Sequence, residues 1–243
     1  MDDTTAAQRL ISCLDLTSLN DDDTIEDIKL LCEKTQTPYG TTAAVCVYPQ
    51  FIPQALQFLS GKDKIATVIN FPQGKLDTEK TQNEIFRALK AGADEIDAVF
   101  PYRDFLSGKI DECATYVQTL RAACENKTLK IILETGELQN TRTIKAASQL
   151  CIECGADFLK TSTGKTKISA TPEAANAMLE TIKVSKKNVG FKASGGIKTI
   201  EDAKKYLVLA SSIMGPNWVN PDNFRIGASS LLNNLLHTIK KGF

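Results

Sequence analysis

The sequence predicts an α/β fold, a single-domain (β/α)8 TIM barrel, from three observations. Short β-rich runs alternate with longer runs of helical period, the cycle repeats eight times within 243 residues, and a polar residue or glycine marks each strand or its end. The first strand is expected over 11–16 and the following helix over 21–34, where Ile25, Ile28, Leu31 and Cys32 share one face. Further strands are expected over 43–48, 65–71, 95–100, 129–134, 157–161, 189–193 and 224–228. Helices are expected over 78–91, 113–125, 141–154, 172–186, 200–210 and 231–240. Thr171 before Pro172 and the variant capping box Thr199-Ile200-Glu201-Asp202 mark two helix starts. A doubly wound open sheet has the same periodicity. The barrel is favoured because Asp15, Cys46, Asn70, Asp97, Glu134, Lys160, Lys192 and Gly227 each fall in or just after one strand, as a pocket ringed by eight loops requires. No Pro/Ser-rich linker divides the chain, so one catalytic domain over 1–243 is expected.

Composition narrows the function. With 29 basic and 29 acidic residues, the chain has no global field for nucleic acid or an anionic membrane, which leaves a small-molecule partner. Its start, Met1-Asp2-Asp3-Thr4-Thr5, lacks the basic-then-apolar pattern of a secretory signal, and no apolar run approaches the ~20 residues of a membrane span. A soluble cytoplasmic protein is expected. Seven cysteines without a signal peptide fit a reducing compartment, mostly as small core residues.

Two lysines stand inside apolar strand-like runs: Lys160 in Ala156-Asp157-Phe158-Leu159-Lys160 and Lys192 in Val189-Gly190-Phe191-Lys192. A strand of a parallel sheet is covered on both faces, so such an ammonium must be paired, opened to a pocket or neutralised. An amine nucleophile working near neutrality needs its pKa lowered by ~3 units from ~10.4. Two ammonium groups ~5 Å apart repel by roughly 3 kcal/mol at an effective dielectric of ~20, which is expected to supply most of that shift. The residues alone do not say which lysine is the nucleophile. The competing structural reading pairs each with a buried carboxylate, Asp97 or Glu134.

Asp97, in Glu95-Ile96-Asp97-Ala98-Val99-Phe100, is a carboxylate suited to proton transfer or to holding an ammonium, while Glu95 reads as a rim or solvent residue. Asp15 in Leu14-Asp15-Leu16-Thr17 has the same character, and a structural salt bridge is the alternative for both aspartates. Thr163-Gly164-Lys165, Ser194-Gly195-Gly196 and Gly227-Ala228-Ser229-Ser230 end the last three strands. Barrels bind phosphate on such backbone N–H groups, so a phosphorylated substrate is expected; plain turns are the alternative.

Three signals are set aside. Ser162-Thr163-Gly164-Lys165-Thr166 imitates a P-loop but has Leu159 where that motif needs glycine. Cys151-Ile152-Glu153-Cys154 has no second C-x-x-C, and the single histidine, His237, lies in an amphipathic helix. Neither a metal centre nor a Ser-His-Asp triad is expected.

These residues resemble the 2-deoxy-D-ribose-5-phosphate aldolases, cytoplasmic class I aldolases of deoxynucleoside catabolism. The resemblance runs through Asp15-Leu16-Thr17-Ser18-Leu19-Asn20, Val45-Cys46-Val47-Tyr48-Pro49, Asn70-Phe71-Pro72, the Asp97 segment and Leu133-Glu134-Thr135-Gly136. It continues in Phe158-Leu159-Lys160-Thr161-Ser162-Thr163-Gly164-Lys165, Gly190-Phe191-Lys192-Ala193-Ser194-Gly195-Gly196 and Gly227-Ala228-Ser229-Ser230. It implies reversible cleavage of 2-deoxy-D-ribose 5-phosphate to D-glyceraldehyde 3-phosphate and acetaldehyde, with no metal or organic cofactor and a homo-oligomer, a dimer favoured. By resemblance, Lys160 is the Schiff-base lysine, Lys192 the neighbour that depresses its pKa, and Asp97 the relay carboxylate. Gly164, Lys165, Gly195, Gly196, Ser229 and Ser230 match phosphate-site segments, and Asp15, Thr17 and Cys46 match positions near the substrate. Some members carry a longer tail ending in a tyrosine that assists proton transfer, whereas this sequence ends Lys240-Lys241-Gly242-Phe243, so slower proton exchange at the acetaldehyde carbon is expected. A different sugar-phosphate lyase or isomerase, or a non-catalytic phosphate-binding barrel, fits the residues outside this resemblance.

Overall fold

Eight parallel strands close into a barrel in the computed structural model, which describes residues 1–61 and 63–242. They are β1 (Leu14–Thr17), β2 (Ala44–Val47), β3 (Lys64–Ile69), β4 (Glu95–Val99), β5 (Thr128–Ile132), β6 (Phe158–Lys160), β7 (Gly190–Ser194) and β8 (Phe224–Ala228). Each strand pairs with its neighbours in chain order, and β8 closes on β1 with Leu14 opposite Ile226 and Asp15 opposite Gly227. Closure excludes the open doubly wound sheet and leaves these strands without an edge. Phe243, on which the tail expectation ends, lies outside the described residues.

The helices around the barrel are α1 (Asp3–Ser12), α2 (Ile25–Glu33), α3 (Ile52–Phe58), α4 (Thr78–Ala91), α5 (Tyr102–Leu106), α6 (Ile110–Ala123), α7 (Thr141–Glu153), α8 (Pro172–Ser185), α9 (Ile200–Met214) and α10 (Leu231–Lys241). Both expected helix starts hold: Thr171 caps α8 ahead of Pro172, and Thr199 and Asp202 form a reciprocal capping box on α9. Among the described residues no helix is long and apolar enough to cross a membrane.

The differences from expectation have local causes. Residues 11 and 12 belong to α1, not to the first strand. Asp2 caps that helix by accepting the Thr5 N–H, and Ala6, Ala7, Leu10 and Ile11 form its buried face against α9 and α10. Helix α2 starts at Ile25 rather than Asp21 because Thr24 is its cap, while Asp23 accepts from the Ser18 hydroxyl and the Asn20 N–H in the preceding loop. Helices α3 and α5 and a hairpin pairing Gln36–Thr37 with Gly40–Thr41 were not expected; all are too short to show a clear period.

The core has two parts. Apolar side chains from the helices and the outward strand positions fill the layer outside the barrel, and all seven cysteines are buried as free thiols. A second, small cluster of Ala44, Cys46, Ala66 and Val68 lies on the opposite faces of β2 and β3, inside the lumen. Most of the other lumen positions are charged.

Candidate active site

Side chains two apart on a strand point to the same face. On β4 the inward pair is Glu95 and Asp97, on β6 Phe158 and Lys160, and on β8 Arg225 and Gly227; Lys130 on β5, Lys192 on β7 and Asp15 on β1 complete the charged lining. Strand register brings these positions together: Asp97 lies opposite Lys130, Lys160 opposite Lys192, and Lys192 opposite Arg225. Gly227 makes room for one of them. A Cβ there would lie 3.0 Å from Lys192 Cε and 3.1 Å from Ser194 Cβ, so glycine lets these side chains pack closely against β8.

Every charged side chain of the resulting network has an ion-pair partner. Asp97 Oδ2 accepts from Lys160 Nζ at 2.7 Å and from Lys192 Nζ at 2.8 Å, while its Oδ1 accepts from Lys130 Nζ at 2.8 Å. Lys192 also pairs with Asp15 Oδ2, whose Oδ1 accepts from Arg225 Nη1 at 2.6 Å. Below them Glu95 joins Arg225 Nη2 at 3.0 Å and Lys130 Nζ at 2.5 Å, and half-exposed Lys64 reaches it at 3.5 Å from the N-terminal end of the barrel. The Arg225 guanidinium rests over the Phe158 ring, 5.6 Å from its centroid.

Charge balance singles out one lysine. Leaving Lys64 aside, the cluster holds four cations, Lys130, Lys160, Lys192 and Arg225, against three carboxylates, Asp15, Glu95 and Asp97. Burial disfavours the Lys160 ammonium most; Asp97 opposes that effect, Lys192 adds to it, and the pKa lies below the ordinary lysine value. Burial also disfavours the Lys192 ammonium, but Asp15 and Asp97 outweigh it and push its pKa up. Asp97, likewise penalised by burial, is held well below the carboxylate range by Lys130, Lys160 and Lys192. The order of causes corrects the sequence expectation: removal from water, rather than repulsion from Lys192, is the larger influence on Lys160.

A cavity of about 230 Å³ opens over Lys160 at the C-terminal end of the barrel. It is lined on one side by Thr17, Leu19 and Asn20 and on the other by the glycine-bearing loops after β6, β7 and β8. Gly164, Gly195 and Gly196 have φ of 78°, 90° and 78°, left-handed conformations that residues with side chains adopt rarely. Lys165 and Lys198 add positive charge to the same rim. Strands β6 and β7 are tied just beneath it, where Ser194 Oγ donates to the Ser162 carbonyl at 2.6 Å and Thr161 Oγ1 accepts the Ser194 N–H at 3.0 Å.

Of the residues expected from sequence, Lys160, Thr17, Gly164, Lys165, Gly195, Gly196 and Ser229 line this cavity. Lys192 and Asp97 lie directly beneath Lys160, bonded to each other. Asp15 is not on the cavity wall; it is fully buried under Lys192 as an ion-pair partner. Cys46 is also off the wall, in the apolar half of the lumen, with burial pushing its thiol pKa up. Ser230 caps α10 by position, makes no side-chain capping bond and does not line the cavity. Asn70 turns away from the lumen to hold its own loop, donating to the Lys75 carbonyl at 2.8 Å and to Tyr116 Oη at 2.9 Å. Glu95 is the clear correction: it is 1% exposed and bound to buried cations, not a rim residue. Its spacing of two from Asp97 carried that signal. Lys130, between Leu129 and Ile131, and Arg225, between Phe224 and Ile226, have the same signature as the two lysines that were recognised.

Cys151 and Cys154 are both buried in α7 and its C-cap, and among the described residues no group of three or more His, Cys, Asp or Glu side chains is arranged around a metal position.

The model of the DeoC/LacD family aldolases matches residues 9–237. A deoxyribose-phosphate aldolase of Agrobacterium fabrum is 48% identical over 241 residues, covering 98% of this chain and 93% of that protein. Among solved structures, the apo form of a Toxoplasma gondii ME49 protein assigned as a deoxyribose-phosphate aldolase superposes with a TM-score of 0.89 at 25% identity, covering 98% of this chain and 97% of that one. The tetrameric deoxyribose phosphate aldolase of Aeropyrum pernix gives 0.76 at 27% identity, over 100% and 98% of the two chains.

Proposed function

The chain belongs to the DeoC/LacD aldolase family, and from that premise we propose that it is a class I aldolase that reversibly cleaves 2-deoxy-D-ribose 5-phosphate to D-glyceraldehyde 3-phosphate and acetaldehyde through a lysine Schiff base. One observation carries the assignment of the nucleophile: among the described residues, Lys160 is the member of the buried cation cluster that lines the cavity, and its pKa is lowered. Its neutral amine adds to the C1 carbonyl, water leaves, the C3 hydroxyl gives up its proton, and the iminium accepts the electron pair of the C2–C3 bond as that bond breaks. The 3-phosphoglyceraldehyde fragment departs, the remaining enamine takes a proton at carbon, and water hydrolyses the ethylidene iminium to free Lys160 and acetaldehyde. No metal or organic cofactor enters these steps.

Asp97 and Lys192 are proposed as the proton relay. Their shared contact at 2.8 Å, with Lys160 on the same carboxylate oxygen at 2.7 Å, supports a path in which a water carries protons between the reacting atoms and this pair. Asp15 holds Lys192 from below and thereby keeps it charged. Gly164, Lys165, Gly195, Gly196 and Ser229 are proposed to receive the phosphate, with Lys198 as an added contact from the same wall. Thr17 faces the sugar. Cys46 and Ser230 support the site without touching the substrate. The catalytic domain is taken to span 1–243, the location to be cytoplasmic and the partner set to exclude nucleic acid. A homo-oligomer is proposed, a dimer first, with sedimentation velocity as its test.

The deciding experiment is borohydride trapping with acetaldehyde, followed by intact mass and peptide mapping. A single ethyl adduct on Lys160, absent in Lys160→Arg, is the expected result. An adduct formed by Lys160→Arg at the wild-type rate, or labelling scattered over surface lysines, would overturn the assignment.

A further inference from the structure

Building on the reading of the cavity as a sugar-phosphate site, we propose that Glu134 is a positioning residue that sets selectivity for the phosphoryl group by clamping the loop that carries Gly164 and Lys165. Glu134 lies two residues beyond β5, is fully buried and has a φ of 55°, a conformation that residues with side chains adopt rarely. Among the described residues it forms no ion pair. Its carboxylate instead accepts the Thr163 N–H at 3.3 Å, the Thr163 hydroxyl at 2.5 Å and the Thr166 hydroxyl at 3.1 Å.

All of these partners are donors, and all belong to the loop between β6 and α8. The Thr163 hydroxyl, having donated to Glu134, accepts the backbone N–H of Lys165 at 3.0 Å, so the carboxylate anchors a chain of bonds that ends on the cavity wall. The same turn grips the loop a second time. A Cβ on Gly136 would lie 2.2 Å from the Ile168 carbonyl oxygen, so glycine alone allows the two backbones this approach. Glu134 itself does not line the cavity and therefore acts through Thr163 and Lys165.

A clamp of this kind governs how well the loop fits an anion, and not how fast the carbon–carbon bond breaks. Removing it therefore affects ground-state and transition-state binding alike, which raises KM and spares kcat. Glutamine at this position keeps the shape but leaves one neutral oxygen and presents an NH₂ to the Thr163 N–H, which can only donate, so part of the charge-assisted bonding is lost.

The test compares cleavage of 2-deoxyribose 5-phosphate with cleavage of 2-deoxyribose, and inhibition by inorganic phosphate, in wild type and Glu134→Gln. The KM for the phosphorylated substrate and the inhibition constant for phosphate should both rise about tenfold, and the selectivity ratio between the two substrates should fall by about the same factor, the loss of one hydrogen bond to a charged group. Thr166→Val, which removes one donor, should move the same quantities in the same direction by about threefold, and it decides the matter if Glu134→Gln does not fold. Equal losses on both substrates, or an unchanged phosphate inhibition constant, would overturn the proposal. Acetaldehyde trapping separates the two levels. Wild type without a Lys160 adduct defeats the reading of the cavity, whereas adducts in both proteins with unchanged selectivity defeat the Glu134 inference alone.

Discussion

Across the barrel lumen, β2 and β3 present Ala44, Cys46, Ala66 and Val68, whereas β4 to β8 and β1 present Glu95, Asp97, Lys130, Lys160, Lys192, Arg225 and Asp15. Both halves are buried to the same degree, and only one of them carries charge. Well-packed hydrophobic residues fill such a space at no electrostatic cost, while a buried ion pair often returns less than its desolvation takes. The charged half is thus an arrangement that stability alone does not select. It gives one lysine, at the top, an environment that favours its neutral form, and the apolar half across the lumen offers that lysine no counter-ion.

Removing the lysine should have the largest effect. Lys160→Met should abolish adduct formation and lower kcat by about 10⁴-fold or more, as expected for loss of a nucleophile. Stability should move differently. Because the folded pKa of Lys160 lies below its unfolded value, wild type gains stability as pH rises from the folded pKa toward ~10.4, and Lys160→Met should lack that gain. Denaturant unfolding of both proteins between pH 6 and 10 measures it, and parallel curves would show that the lysine is not held in a neutralising environment. The rate of adduct formation in wild type should rise over the same interval.

Asp97→Asn comes next. It removes the carboxylate shared by three ammonium groups, so kcat should fall by 10²- to 10⁴-fold and stability by about 3–5 kcal/mol, the cost of stranding buried charge. Acid should reproduce part of that loss. Asp15, Glu95 and Asp97 all have lowered pKa values, so their stabilisation is complete above the unfolded values near ~4 and is lost as pH falls through the folded ones. A midpoint of acid unfolding at or above pH 5 would count against the network.

Much of this was legible before folding was considered. The alternation of strand and helix, the polar or glycine mark at each strand and the two lysine motifs are local patterns, and the closed barrel, the shared oxygen on Asp97 and the glycine-rich wall agree with them. What was missed depended on which face a residue takes. Glu95 looked exposed because its apolar neighbours lie on one side only, yet its spacing from Asp97 turns it inward. Asp15 and Cys46 are expected near the substrate from sequence, but Asp15 is buried under Lys192 and Cys46 packs in the apolar cluster of β2 and β3, so neither lines the cavity, which strand position alone does not encode. Helix α1 was hidden because its last turn runs into β1 without a glycine or proline between them.

The pair at the bottom of the charged half permits a finer cut. Arg225 and Glu95 touch each other and lie beneath the cavity, so Arg225→Met and Glu95→Gln should each cost about 3–5 kcal/mol, while the double variant should cost less than their sum. Their effect on kcat should be no more than about tenfold, because neither reaches the reacting atoms. Additive losses would mean that the two act on different parts of the network.

The smallest effect is expected on the apolar side and serves as the control for all the others. Val68 lies opposite Asp97 in the strand register and packs with Ala44, Cys46 and Ala66. Val68→Ala removes two methyl groups from a buried site and should cost about 1–2 kcal/mol in unfolding free energy, at the lower end of large-to-small core substitutions. Since no charge is gained or lost, the pH dependence of both stability and adduct formation should keep its wild-type shape. A shifted pH profile in Val68→Ala would mean that water entering the new space reaches Asp97 or Lys160, and the dryness of the apolar half would then count among the causes of the lowered lysine pKa.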